Sequence, residues 1–217
     1  MLPFSISATG SAGAPVFDQR LHSRDRVFSG GNVDWSIPRD WDMNKCSFPL
    51  GTDVIRARIA EDDAALARLG ARAHRLEFLD AQYRNPESEP PPHVIGERIM
   101  AAISHLRSRS VILPLGLVHG DHKLSAAGAA HAARCTPELA WFAYQDLPYA
   151  YEKNPGIEDA LAKLADMAPT PVELSSETRS SDKGAAIDMY LSQMRGLGAR
   201  RKKAMRAERY WILSPGE

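Results

Sequence analysis

His119-Gly-Asp121-His122 sets two imidazoles and a carboxylate close together, where the apolar run Val111 to Val118 gives way to an alanine-rich stretch. Residues of these types at this spacing can supply a metal ligand, a group that orients it and a proton-handling group at the end of a buried strand. That combination is the equipment of a hydrolase. The plainer expectation is that Asp121 N-caps a helix beginning near Lys123, with both histidines in the polar turn before it.

The elements that must position this cluster can be read from periodicity. Ile55, Ile59, Leu66 and Leu69 fall on one face of a helix over residues 53–69, which Gly70 stops. Alternation of Leu76 and Phe78 with polar neighbours predicts a strand from His74 to Asp80, leaving Asp80 at its far end. After the proline-rich loop at Pro90 to Pro92, Ile95, Ile99, Ile103 and Leu106 mark a second helix, which leads into a strand from Val111 to Val118. Ser125 to Arg134 reads as helix, Leu139 to Tyr144 as strand, Ile157 to Met167 as helix and Val172 to Leu174 as a short strand. Lys183 to Met194 reads as a further helix and Arg209 to Leu213 as the last strand. Strands separated by helices imply parallel crossovers and a three-layer α/β sheet, in which ligands bind at the carboxyl ends of strands. Asp80 and His119 both fall at that edge.

Composition narrows the classes. At 217 residues with 44% hydrophobic content the chain can bury one core, and one domain is the default. Basic and acidic residues both total 27, so no global field favours nucleic acid or an anionic membrane. The cations Arg195, Arg200, Arg201, Lys202, Lys203, Arg206 and Arg209 read as a solvated helix face, since aromatic residues do not interleave them until Tyr210 and Trp211. Two cysteines, Cys46 and Cys135, are too few for a disulfide framework and are expected to be buried thiols. His74, His93, His105 and His131 lack metal-spaced neighbours and read as structural or surface residues. Neither a secretory signal nor an apolar stretch of transmembrane length is evident, so a cytoplasmic setting is expected. Residues 1–26 are expected to be loosely structured, with residues 27–217 forming the domain.

An ordered set of short motifs resembles the PIG-L (LmbE-like) family of zinc-dependent N-deacetylases. It comprises Val27-Phe-Ser-Gly-Gly, Trp41-Asp42 with Cys46 and Phe48, Arg58-Ile-Ala-Glu61-Asp62, Leu69-Gly70-Ala71 and Phe78-Leu-Asp80-Ala-Gln-Tyr83. His119-Gly-Asp121-His122, Tyr144-Gln-Asp-Leu-Pro-Tyr149 and Glu208-Arg-Tyr-Trp211 complete it. The resemblance implies a Rossmann-like three-layer α/β/α sandwich with a mostly parallel sheet, and hydrolysis of the acetamide of an amino sugar or related small glycoconjugate. It further implies that His122 is a zinc ligand, that His119 stabilises the tetrahedral intermediate and that Asp121 orients or tunes an imidazole. Arg58 and Asp80 would contact substrate. Without the resemblance, Arg58 reads as a helix arginine paired with Glu61 or Asp62, and Asp80 as the cap of the next turn.

One departure stands out. Family members open with an apolar strand running into Ala-His-Pro-Asp-Asp, which brings two zinc ligands and the general base, and this motif does not occur in the sequence. Before Val27 stands Leu21-His22-Ser23-Arg24-Asp25, in which His22 and Asp25 share the offset of the two ligands. Arg24, however, occupies the position of the base, and one residue separates Asp25 from Val27, so the segment reads as a polar turn. The chain is therefore expected to look like a family member lacking its first βα unit. A non-catalytic or vestigial carbohydrate-binding domain is the alternative.

Overall fold

The computed structural model describes residues 38–76, 78–173 and 180–214. Val27, His22 and Asp25, the 1–26 segment and Leu174 lie outside the described residues.

Local chemistry explains the main helices. After a short helix α1 (Asp40–Asn44), α2 (Val54–Arg68) starts where the Asp53 side chain accepts from the Arg56 N–H at 3.0 Å. It ends with Gly70 at φ +65°, where the Ala71 N–H returns to the Leu66 carbonyl at 2.9 Å. Helix α3 (Pro92–Leu106) begins on a proline, whose missing N–H costs nothing at that position. The strand β1 (Ser110–Pro114) follows, then α4 (Gly120–Cys135), β2 (Ala140–Tyr144), α5 (Ile157–Ala162) and β3 (Thr170–Val172). The chain finishes with α6 (Ser180–Ile187), α7 (Leu191–Leu197), α8 (Arg201–Ala204) and β4 (Tyr210–Leu213).

The strands form one sheet in the order β1-β2-β4-β3. β1 and β2 pair in parallel across the α4 crossover, from Ser110 opposite Ala140 to Pro114 opposite Tyr144. β4 runs antiparallel to both β2 and β3, so three strands share a direction and β4 lies reversed between two of them. Helices flank this sheet, giving the α/β architecture expected. Trp141, Leu113, Val111, Ile99, Leu117 and Met167 are all at most 1% exposed and form the centre of the core. Helices α3 and α4 approach closely through glycines: a Cβ on Gly128 would fall 2.5 Å from Ile95 Cγ2.

Five sequence expectations need correction. The helix expected from Ile157 to Met167 ends at Ala162. No strand forms from His74 to Asp80 among the described residues; Leu76 and Phe78 do pack on the core, but alternation fixes only the buried side, and a ladder needs a neighbouring backbone. The Leu79 carbonyl is instead satisfied by Arg84 Nη1 at 2.8 Å. β1 stops at Pro114, because Gly116 takes φ +77° and turns the still-buried chain toward α4. The expected helix from Lys183 to Met194 is two helices, broken where the Tyr190 hydroxyl donates to buried Asp62 at 2.8 Å. Finally, the apolar face read on α2 is not its buried face. Val54, Arg58, Asp62 and Ala65 are buried, whereas Ile59 and Leu69 are 38% and 43% exposed. Burial of the polar side is made possible by partners for each charge: Asp42 for Arg58, and Arg75 and Tyr190 for Asp62.

Candidate active site

Between β1 and α4 the backbone makes an uncommon turn. Val118 has φ +55°, and the His119 N–H closes onto the Leu117 carbonyl at 2.6 Å. A β-branched residue in the left-handed region costs on the order of 1–3 kcal/mol and persists only where its surroundings enforce it. One enforcing contact is Asp146, 1% exposed, whose Oδ2 accepts the Leu117 N–H at 2.6 Å.

The turn delivers His119 as the N-cap of α4. Its Nδ1 accepts the Asp121 N–H at 3.2 Å, so His119, and not Asp121, caps the helix. Asp121 sits in the first helical turn, where its carboxylate takes the Ala81 N–H at 3.0 Å and Arg84 Nη1 at 3.2 Å, with His119 Nδ1 at 3.8 Å. It therefore ties the 80–84 segment to the helix start and suits the positive end of the helix dipole. Asp80 caps the turn Ala81–Tyr83, with its Oδ1 accepting from the Gln82 N–H at 3.1 Å. His122, also in the first turn of α4, places Nδ1 3.4 Å from Asp146 Oδ2. The rings of His119 and His122 lie 5.6 Å apart, with the Tyr149 ring 6.2 Å and 5.1 Å from them.

His119, Asp121, His122, Asp80, Arg58 and Tyr149 all line one cavity of about 1320 Å³. Ile55, Ile59 and Leu66 of α2 line it too, which is where the apolar face of that helix goes. Side-chain exposure separates the imidazoles: 44% for His119 and 14% for His122, so the first is open to a ligand and the second is held in the wall. Burial lowers the His119 pKa, with His122 adding to the effect and Asp121 opposing it. A neutral ring whose Nδ1 accepts a hydrogen bond carries its proton on Nε2. Burial also raises the Tyr149 pKa, so its hydroxyl stays protonated.

Arg58 also has partners within the molecule. Its guanidinium donates to buried Asp42, lies 3.7 Å from Cys46 Sγ and covers the Trp41 ring at 5.0 Å. Asp42 also accepts from the Tyr83 hydroxyl. The pairing with Glu61 or Asp62 expected from sequence is thus replaced by a buried ion pair to α1, and Glu61 instead accepts from Ser192. Asp42, Asp146 and Tyr149 do not stand out as site residues in the sequence. Their only signals are the motifs around Trp41-Asp42 and Gln145-Asp146-Leu-Pro-Tyr149, since each partner is distant along the chain.

Among the described residues there is no group of three histidine, cysteine, aspartate or glutamate side chains placed to hold a metal ion. A catalytic zinc requires three protein ligands and an open position. The described residues therefore do not fit a catalytic zinc site on their own. Of the other histidines, the rings of His74 and His105, and of His93 and His131, neighbour each other at 6.0 Å and 6.5 Å, and His74 also lines the cavity. Cys46 is buried, but Cys135, expected to be so, is exposed at the end of α4.

Most of the basic cluster is engaged within the molecule. Arg200 and Lys203 pair with Glu152, Arg201 pairs with Asp188, Arg195 donates to the Cys46 carbonyl and Arg206 stacks on Tyr151 at 4.5 Å. No described helix is long and apolar enough to cross a membrane.

The chain matches no family model and no curated protein. It does resemble solved deacetylase structures. The zinc-inhibited form of teicoplanin deacetylase Orf2 is 21% identical, with a TM-score of 0.62 over 88% of this chain and 86% of that one. The A40926 pseudoaglycone deacetylase Dbv21 is 21% identical, with a TM-score of 0.56 over 85% and 84%. A deacetylase in complex with teicoplanin is 20% identical, with a TM-score of 0.54 over 85% of each chain. The chain shares the fold of these deacetylases.

Proposed function

We propose that this chain is an N-deacetylase-type domain whose cavity receives an N-acetylated amino sugar or a related glycoconjugate, and that the reaction of the site is hydrolysis of the linear amide. The observation that carries the reading is the convergence of His119, His122, Asp80, Asp121 and Tyr149 on one cavity beyond the carboxyl end of β1. In α/β sheets ligands bind at that edge.

Amide cleavage builds negative charge on the carbonyl oxygen, and a preorganised donor beside it lowers the barrier. His119 suits that role, because it is neutral, carries its proton on Nε2 and stands at the start of a 16-residue helix whose dipole favours negative charge. Tyr149 provides a protonated hydroxyl beside both imidazoles, and Asp80 a carboxylate acceptor for sugar hydroxyls. Zinc in this fold would activate water. His122 is the ligand among the described residues, and the remaining donors would have to come from elsewhere, His22 and Asp25 being the sequence candidates.

A second reading follows from the single ligand among the described residues: a carbohydrate-binding domain that does not hydrolyse its ligand. Calorimetry on the full chain checks the shared part. An N-acetylated amino sugar should bind more tightly than the same sugar with a free amine, and His119→Ala should weaken the former about tenfold, the worth of one hydrogen bond. Equal affinity for both sugars would remove both readings. Acetate release by the same samples separates them.

A further inference from the structure

Asp146 is a buried carboxylate with an uneven set of partners. Its Oδ2 accepts the Leu117 N–H at 2.6 Å and faces His122 Nδ1 at 3.4 Å, while its Oδ1 is buried with no hydrogen-bond partner among the described residues. A buried carboxylate kept only for stability would be expected to satisfy both oxygens, because each unmet one costs desolvation energy. The side-chain contacts of Asp146 run through the one oxygen that joins the strained Leu117–His119 turn to the His122 ring.

We propose that Asp146 is the positioning residue of this site: through Oδ2 it holds His122 with its proton on Nδ1, and it holds the turn that presents His119. A carboxylate only accepts hydrogen bonds, so the nitrogen facing it must donate. His122 then keeps an unprotonated Nε2 for the cavity that it lines. His119 is fixed the other way round, since its Nδ1 accepts the Asp121 N–H and its Nε2 carries the proton. The two imidazoles, 5.6 Å apart, thus offer opposite faces to one ligand, His119 a donor and His122 an electron pair. On the amide-hydrolase reading, on which this assignment of use rests, the donor suits the carbonyl oxygen and the electron pair is the one a metal ion would take. Without Asp146, a ring that can flip or exchange tautomers would present the wrong nitrogen for part of the time.

The test is nitrogen-15 NMR of the full chain with labelled histidine, at a pH well above the ordinary imidazole range so that the rings are neutral. His122→Ala and His119→Ala spectra assign the two rings. The expected result is His122 protonated on Nδ1 and His119 on Nε2. Asp146→Leu, which has no acceptor, should move His122 to the Nε2–H form, and Asp146→Asn, which keeps an oxygen but loses the charge, should move it part of the way. His122 protonated on Nε2 in the unmodified chain would overturn the proposal without recourse to an Asp146 variant. An unchanged tautomer in a folded Asp146→Leu protein would overturn it as well; should that variant not fold, an unchanged tautomer in Asp146→Asn overturns it instead. Because the spectra require no turnover, the amide-hydrolase reading can fail while the tautomer assignment stands, and the reverse.

Discussion

Single residues divide into those whose chemistry is visible in the sequence and those that only the fold brings in. His119, Asp121 and His122 announce themselves by their spacing. Asp146 does not, since its partner His122 lies on another element and no local pattern marks an aspartate that accepts from one ring and one backbone N–H. Arg58 shows the opposite problem: its motif suggests contact with substrate, and its side chain lines the cavity while pairing with the buried Asp42 carboxylate. The side chains are 7% and 0% exposed, so removing one leaves the other charged and buried. Arg58→Ala should therefore lower stability by about 3–5 kcal/mol in denaturant unfolding. Unaltered stability with weakened sugar binding would return Arg58 to the substrate. His122, backed by Asp146, is by itself too little to retain zinc. Metal analysis of the purified full chain should find well under one zinc per chain, and a stoichiometric zinc lost on His22→Ala would show that the segment before Val27 completes the site.

At the scale of elements, existence was more legible than boundaries. Helices α2 and α3 and the strands β1, β2 and β4 follow from periodicity, which reports the burial of one face. Periodicity is silent on what covers that face, and so it missed that α2 turns Ile55, Ile59 and Leu66 to the cavity and its ion pairs inward. It equally missed the end of β1, which depends on one backbone conformation. A Cβ at Gly116 would lie 2.7 Å from Ala126 Cβ and 3.0 Å from Lys123 Cα, at a φ of +77°. Gly116→Ala should thus push the start of α4 away from β1, costing roughly 1–3 kcal/mol from the overlap and as much again from backbone strain. Thermal unfolding reads the loss, and displaced His119 and His122 resonances in the folded fraction would locate it. A melting temperature equal to that of the parent protein would show that the turn is not confined as described.

For the molecule as a whole, the α/β class and the carboxyl-edge placement of the cluster were readable because strand and helix alternate along the chain, whereas the reversed β4 was not, since direction leaves no trace in a strand of four residues. The balance of charge also plays out locally: among the cations near the C-terminus, Arg200 and Lys203 pair with Glu152, Arg201 pairs with Asp188 and Arg206 stacks on Tyr151. What remains is a fold shared with deacetylases around a cavity lined by His119, His122, Asp80, Asp121 and Tyr149. Adding the family motif is the most direct test of the deacetylase reading. Placing a family-type strand, Ala-His-Pro-Asp-Asp turn and helix ahead of Val27 adds two ligands and a general base beside His122. The expected outcome is that this chain, loaded with zinc, releases acetate from an N-acetylated amino sugar and that His122→Ala abolishes the release. A correctly folded, zinc-loaded protein inactive on a broad panel of N-acyl sugars would contradict the deacetylase reading.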